Sequence, residues 1–171
     1  MKFFIKKKSG FSILEIIFII GIIIIGLLAI IPLVIQNQQA QSIDNNYLVA
    51  SMLSQEGLEL VRNNRDNNWL SGGANWYDNI DSSSYTIDYY NDDFNINDLV
   101  NNIDDAGAIL KIDSYGYYSH SAGDTTIFSR IINVVEHLVD DYIIVSSTVR
   151  FKEHGRIHDY VSETYFYAWR Y

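Results

Sequence analysis

The sequence predicts an α+β protein, in which a long N-terminal transmembrane helix has its C-terminal half packed on an antiparallel β-sheet. Three observations lead to this prediction. Residues 16–35 form an unbroken apolar run, residues 36–66 continue it with an amphipathic helical pattern, and residues 67–171 contain strand-like runs separated by Gly, Asn, Asp and Ser. A chain of 171 residues has room for one folded domain and one appended segment.

Charge is distributed unevenly along the chain. The net charge is −9, yet four lysines lie in the first eight positions, and Glu15 is the single charge in residues 9–43. From Asp44 onward, 8 basic and 20 acidic residues give 8 − 20 = −12. This acidic balance disfavours direct nucleic-acid binding, because phosphate binding requires clustered cations. The absence of cysteine excludes a disulfide framework, a thiolate zinc site and a cysteine nucleophile.

The apolar run 16–35 has the length of a membrane span. At about 1.5 Å per residue, a helix over it is roughly 30 Å long, which matches the hydrocarbon core of a bilayer. Basic residues before the run, and none just after it, predict a cytoplasmic N-terminus and an extracytoplasmic C-terminal domain. A cleaved secretory signal fits less well, since its apolar region is normally about 7–15 residues. A plain signal anchor stays open as an alternative.

Glu15 stands at the edge of this apolar run. A carboxylate placed deep in a membrane costs on the order of 2.5–3.5 kcal/mol, so such a residue is a functional candidate that should have a partner. The alternative is that Glu15 lies shallow and reaches headgroup water. The charge alone does not decide between these two interpretations.

The surrounding residues resemble the processing site of type IV prepilins and type II secretion pseudopilins. In that family a short basic leader ends in glycine, an aromatic residue follows the cut, a glutamate stands fifth after it, and a long apolar helix comes next. In the segment KKKSGFSILE, Gly10, Phe11 and Glu15 occupy those places. Pro32 falls 22nd after the cut, where many family members also have a proline. The resemblance covers residues 1 to about 65 and implies a pilin-like fold.

The resemblance also implies an organisation and a function. Residues 1–10 would be a cleaved basic leader, 11–35 a hydrophobic transmembrane and filament-core helix, 36–66 its amphipathic continuation, and 67–171 an extracytoplasmic β-rich globular domain. A prepilin peptidase would cut after Gly10 and N-methylate Phe11. Glu15 would pair with the N-terminal amine of a neighbouring subunit during filament assembly.

The partners implied by the resemblance are the prepilin peptidase, other pilin subunits through their N-terminal helices, the inner-membrane assembly platform and membrane lipid. The protein would be a structural subunit without enzymatic activity or cofactor, held in the inner membrane and then in a cell-surface filament. The phrase QEGLELVRN at 55–63, with GLLA at 26–29, looks closer to minor pilins and pseudopilins than to major ones. The alternatives are a signal-anchored protein with an extracytoplasmic binding domain and an exported enzyme with a tethering helix.

The element boundaries follow from local patterns. The amphipathic helix is predicted to end at Asn63-Asn64, with Gly57 as a weak point and Pro32 as a kink. A hairpin turn is predicted over residues 152–156, around Gly155. The predicted strands cover residues 85–90, 108–113, 126–134, 142–151 and 157–169.

Other candidate sites are weaker. Acidic stretches at 78–81, 91–98 and 101–105 offer oxygen ligands for calcium but lack the EF-hand spacing. His154 and His158 are four apart, as in helical zinc sites, but lie in a predicted hairpin. Twelve of the 13 tyrosines follow residue 76 and could line a sugar-binding face, although tyrosine also favours strands. No serine has the spacing of a nucleophile elbow. Taken together, these patterns predict no metal site and no catalytic residue.

Overall fold

A computed structural model describes residues 10–72, 75–89, 99–137 and 142–168. One long helix, α1 (Ile13–Ser71), precedes six strands: β1 (Ser84–Tyr85), β2 (Ile109–Ile112), β3 (Tyr118–Ser119), β4 (Asp124–His137), β5 (Tyr142–Glu153) and β6 (Arg156–Tyr167). A short 3₁₀ helix (Ala106–Ala108) leads into β2. The chain divides into two compact units, residues 1–43 and 44–171.

The strands form a single antiparallel sheet in the described part of the chain, in the order β3-β2-β4-β5-β6. β1 pairs with β4 through Ser84 opposite Asn133 and Tyr85 opposite Ile132, beyond the part of β4 that β2 occupies. The long strands β4, β5 and β6 therefore provide most of the surface against which a helix can pack.

Residues 44–71 of α1 pack on this sheet and confirm the predicted α+β architecture. The buried helix residues recur every three or four positions, which places them on one face: Ala50, Leu53, Ser54, Gly57, Leu58, Val61 and Asn64. β5 supplies the opposing surface, because its side chains alternate between buried and half-buried along the strand.

The core consists of two adjoining clusters of buried residues. The first contains Leu58 and Val61 of the helix with residues of β1, β4, β5, β6 and the 76–87 segment: Trp76, Ile80, Tyr85, Ile87, Ile132, Val134, Ile143, Val145 and Phe166. The second contains Ala50 and Leu53 with Leu110, Phe128, Val149 and Phe151. Both clusters depend on the buried face of α1, so the helix is a structural part of the domain.

The predicted end of α1 at Asn63-Asn64 is wrong, since the helix continues to Ser71. Asn64 is buried, and Trp69 packs against the first core cluster, so tertiary contacts favour two further helical turns. Asn68 Nδ2 donates to the carbonyl oxygens of Trp76 at 3.2 Å and Asp78 at 2.8 Å, which holds the helix end. Gly72, at φ +71°, then ends the helix in a left-handed conformation.

The predicted strand over 85–90 is also wrong in its extent. Only Ser84–Tyr85 is a strand, and Thr86, Ile87 and Asp88 are buried without continuing it. The Ile87 carbonyl accepts a hydrogen bond from Arg130 Nη2 at 2.6 Å, so a side chain takes the place of a neighbouring strand. Tyr90 lies outside the described residues. The other four predicted strands are confirmed, with ends shifted by up to three residues. Trp169, the predicted end of the last strand, also lies outside the described residues.

Candidate functional site

The residues singled out by the sequence lie at the start of α1. Gly10, Phe11 and Ser12 precede the helix, and Glu15 lies in its first turn. All four residues are exposed, and Phe11 is 71 % exposed. Gly10, Phe11 and Glu15 therefore fall within one short segment, while Pro32 follows 17 residues later, about 26 Å further along the helix axis.

The first turn of α1 offers a second interpretation of Glu15, which was not predicted from the sequence. Ser12 directly precedes the helix and Glu15 lies three residues later, which is the S-x-x-E spacing of a capping box. The backbone N–H of Ile16 donates to the Ser12 carbonyl at 3.2 Å, so the turn begins at Ser12. A carboxylate near a helix N-terminus also interacts favourably with the helix dipole. Charge and capping can both contribute to the role of this residue.

The apolar part of α1 is uncovered within its own unit. It contains an 18-residue window of mean hydropathy 3.3, none of which is buried, and it is long and apolar enough to cross a membrane. α1 continues through Pro32, so this proline does not end the helix, and the predicted kink stays a prediction. Apart from its chain neighbours and the nearby helix backbone, a Cβ atom added at Gly10, Gly21 or Gly26 would meet no described atom within 4 Å, so the surface is open at these positions.

A buried polar cluster in the globular unit was not predicted. Arg130 projects from β4 toward α1 with its side chain fully buried. Its Nη1 donates to the Leu53 carbonyl at 2.9 Å and lies 3.5 Å from Glu56 Oε1, while its Nη2 donates to the Ile87 carbonyl. The guanidinium thus links the helix, the sheet and the 86–88 segment. One sequence feature could have predicted this cluster, namely the arginine within the apolar strand FSRIINVV. Alternation along a strand places that arginine on the buried face.

His120 and Asp88 extend this cluster. The His120 backbone N–H donates to Asp88 Oδ2 at 2.6 Å, and Asp88 is only 2 % exposed. Burial of the ring, together with the nearby Arg130 guanidinium, lowers the pKa of His120 to about 4. His120 is therefore neutral at pH 7.

The predicted weak point at Gly57 has a packing role. A Cβ atom at this position would lie 2.7 Å from Ile132 Cδ1 and 2.8 Å from Ser147 Oγ. Next to it, Ser54 Oγ donates to the Ser147 carbonyl at 2.8 Å. Glycine at 57 therefore lets the helix approach β4 and β5 closely, and the hydrogen bond from Ser54 ties the two elements together.

The acidic loops engage groups of the protein itself. Arg150 Nη1 lies 3.0 Å from both carboxylate oxygens of Asp104, and its Nε and Nη2 bind the Asp159 carboxylate at 2.7 Å. Asp78 and Asp105 accept hydrogen bonds from backbone N–H groups three residues before them. Within the described ranges, no group of three or more His, Asp or Glu side chains is placed to hold a metal ion. The stretch 91–98 lies outside them.

The histidines suggested as zinc ligands have separate surroundings. His154 occupies the β5–β6 turn, and its Nδ1 lies 3.7 Å from Glu153 Oε1. His158 lies on β6, stacks on Phe151 with ring centroids 5.0 Å apart, and shares a 3.2 Å hydrogen bond with the Tyr47 hydroxyl. His158 therefore contributes to the packing between α1 and the end of the β5–β6 hairpin.

None of the protein-family models, curated proteins or solved structures compared with this chain matches it.

Proposed function

We propose that the chain is a structural subunit, of the minor pilin or pseudopilin type, of a type IV pilus or a type II secretion-like filament. Its precursor is processed by a prepilin peptidase after Gly10 and N-methylated at Phe11. The observation that carries the proposal is the position of Glu15, the single charge in residues 9–43, at the start of an apolar helix that its own unit leaves uncovered.

The exposed apolar helix supports assembly through α1. Residues 16–35 present a continuous apolar surface, and monomeric soluble proteins rarely expose surfaces of this size. Lipid covers such a surface before assembly, and the equivalent helices of other subunits cover it in a filament. The inner-membrane assembly platform would move the subunit from the first environment to the second.

The pair formed by Glu15 and a new N-terminus supports the register of that assembly. Cleavage after Gly10 creates a positive amine at Phe11, four residues before the carboxylate. Leaving either charge unpaired among apolar helices is costly, and pairing the two across subunits removes that cost. A buried polar pair of this kind also selects one axial position over others. The role of the chain is accordingly structural, not catalytic.

Mass spectrometry of the N-terminus tests the proposal. The full chain is expressed in cells with and without an active prepilin peptidase, and its N-terminal peptide is sequenced. With the peptidase, we expect a chain that begins at Phe11 and carries one methyl group on its amine. Without it, the chain should retain residues 1–10.

A matched pair of glycine variants provides the control. Gly10→Leu should block processing, whereas Gly21→Leu, which changes a glycine within the apolar run, should be processed normally. An intact Met1 in cells with the active peptidase would contradict the proposal. That result would favour the signal-anchored protein with an extracytoplasmic binding domain.

A further inference from the structure

β6 forms an open edge of the sheet. No described strand pairs with its outer side, and its pairing with β5 runs without a register shift over all 12 of its residues. The opposite side of the sheet ends in β1 and β3, which have two residues each, and the register of β2 shifts between Ile109 and Lys111. Short strands and irregular register protect a sheet edge against further pairing. β6 lacks these protections and contains neither proline nor lysine.

The hairpin turn determines which backbone groups of β6 point to this edge. A two-residue turn closes with a hydrogen-bonded pair, here Glu153 and Arg156, and such pairs alternate with non-bonded pairs along an antiparallel ladder. The even-numbered residues of β6 therefore bond to β5. The N–H and C=O groups of the odd-numbered residues, from Ile157 to Tyr167, point away from β5. β6 thus presents a row of backbone donors and acceptors to one further strand.

A groove between α1 and β6 lies beside these backbone groups. Its volume is about 580 Å³. Met52, Gln55 and Glu59 line it from the helix, and Ser162 and Thr164 line it from the face of β6 that is turned to the helix. Met52 is 59 % exposed, so part of this groove is apolar and uncovered. Because successive side chains of a strand alternate between faces, a strand added to β6 would place every second side chain on the groove side.

The charges along this edge favour a basic partner. Arg150 binds Asp159 and Arg62 pairs with Glu59, whereas no described cation forms an ion pair with Glu163. Opposite charges on directly facing residues of neighbouring strands attract, so a lysine or arginine is favoured opposite Glu163. A second copy of this chain would instead bring another strongly acidic unit to the edge, and the two units would repel one another.

We propose that β6 and this groove bind an extended segment of another polypeptide, which adds to the sheet as a strand antiparallel to β6. The segment alternates apolar side chains, which enter the groove beside Met52, with polar side chains on the opposite face. One of these polar residues is a lysine or arginine opposite Glu163. Backbone hydrogen bonds supply affinity for an extended chain, while the groove and the carboxylate select its sequence. The proposal does not depend on the filament role.

Calorimetric titration with matched peptides tests the charge selection. The full chain is used in micelles of a non-ionic detergent, and empty micelles provide the blank. The probe is the peptide TVTVKVTVT, in which the valines form one face and the lysine lies at the centre of the other. We expect it to bind about five- to tenfold more tightly than TVTVEVTVT. Glu163→Lys should reverse this preference, whereas Asp124→Lys, the same charge change at an exposed position of β4, should leave it unchanged.

Methylated peptides test whether binding uses the backbone of β6. In the proposed arrangement the lysine and threonines lie opposite the odd-numbered residues of β6, so their N–H groups point to β6 and those of the valines point away. N-methylation of the lysine and its nearest threonines should abolish binding. N-methylation of an equal number of valines is the matched control and should change the affinity by no more than about twofold.

Hydrogen exchange followed by NMR locates the added strand on the protein. In the chain alone, the amide hydrogens of Val161, Glu163 and Tyr165 should exchange faster than those of Ser162 and Thr164, which are bonded to β5. The peptide TVTVKVTVT should slow exchange in the first set at least about tenfold and leave the second set nearly unchanged.

Several results would overturn the proposal. The first is no detectable binding of TVTVKVTVT at millimolar concentrations. Equal losses of binding on methylation of the valines and of the lysine with its threonines would show that the edge is not used. An unchanged peptide preference in Glu163→Lys would remove the proposed charge pair. Protection of the Val161 and Tyr165 amides that rises with protein concentration, without peptide, would identify a second copy as the occupant.

Discussion

Gly57 shows how one residue sets the distance between the helix and the sheet. A methyl group at this position would overlap Ile132 and Ser147, both of which are buried. Alanine favours the helix over glycine by about 1 kcal/mol, but overpacking a well-filled core costs about 1–3 kcal/mol. The packing term should therefore exceed the gain in helix propensity.

We predict that Gly57→Ala lowers the free energy of unfolding by up to about 2 kcal/mol, which is the packing cost less the gain in helix propensity. Urea unfolding of the full chain in detergent micelles, followed by tryptophan fluorescence, measures this change because Trp76 lies in the core. Gln55→Ala, at an exposed position of the same helix, should change the free energy by no more than about 0.5 kcal/mol. A Gly57→Ala chain more stable than the parent would show that β4 and β5 can move aside.

Glu15 can act through its charge or as part of a capping box, and two substitutions separate these roles. Glutamine retains the side-chain acceptor of the capping box but removes the charge, whereas alanine removes both. We predict that Glu15→Ala and Glu15→Gln are both cleaved normally and both enter filaments poorly. The measurement is the ratio of filament-bound to membrane-bound subunit. Normal assembly of Glu15→Gln with defective assembly of Glu15→Ala would assign the role to capping.

His120 predicts a loss of stability in acid. In the unfolded chain its pKa is about 6.5, whereas in the folded chain the pKa is lowered to about 4. Between these values only the unfolded chain binds the proton, so the free energy of unfolding falls as the pH drops from about 6.5 to about 4. This shift corresponds to a loss on the order of 3 kcal/mol.

Urea unfolding at a series of pH values measures this effect. His120→Gln should flatten the dependence between pH 6.5 and pH 4, whereas His154→Gln, at an exposed turn position, should leave it unchanged. If the parent and His120→Gln lose stability equally over this range, carboxylates and not His120 dominate the acid response.

At the scale of elements, the β5–β6 hairpin is the part that the sequence predicts best. Its strands pair from Tyr142–Tyr167 to Glu153–Arg156, which leaves His154 and Gly155 as a two-residue turn. Their φ angles are +49° and +77°, and positive values at both positions are the signature of a type I′ turn. The sequence shows glycine at the second turn position and strand-like alternation on both sides of it. Both features predict the same hairpin.

We predict that Gly155→Ala lowers the free energy of unfolding by about 1–2 kcal/mol, because alanine is strained at φ +77°. Gly107→Ala is the matched control. A Cβ atom at Gly107 would meet Val100 Cγ2 at 3.5 Å, which is ordinary contact, and its φ is not in the left-handed region. Thermal unfolding of both variants gives the comparison, and an undisturbed Gly155→Ala would mean that the turn changes type.

The elements that were predicted incorrectly are those whose ends depend on distant residues. Asn63-Asn64 looks like a helix end locally, but Asn64 is buried and Asn68 is bonded to the 76–78 segment. The strand expected over 85–90 stops early, because Arg130 from β4 takes the Ile87 carbonyl. The local sequence pattern and the helix and strand propensities carry no information about these distant partners, which meet only in the folded chain.

At the scale of the whole molecule, the start of α1 and the buried polar cluster around Arg130 differ in how far they could be predicted. Gly10, Phe11 and Glu15 form a local motif, so their sequence alone was sufficient to select them. The buried cluster joins Glu56 of the helix to Arg130 of β4 and to Asp88, which are distant from one another in sequence. The sequence showed where the charged residues lie along the chain but not which of them meet in the core.

Charge also differs between the precursor and the proposed mature chain. Removal of residues 1–10 takes four lysines away, so the net charge of the side chains changes from −9 to 8 − 21 = −13. The new amine at Phe11 is then the single cation between that residue and Asp44. Neighbouring globular units would repel one another at low ionic strength, and the apolar helices would have to supply the attraction.

The packing of α1 on the last strands also sets an order of events during synthesis. Leu58 and Val61 emerge from the ribosome early, yet their core cluster is completed by Phe166 of β6. At roughly 5–20 residues per second, the 166 − 61 = 105 residues between Val61 and Phe166 take about 5–20 s to make. Trp76 and Ile80 emerge early in this interval, but the cluster stays incomplete until Phe166 is made. The globular unit can therefore complete its native core only after Phe166 has been translated.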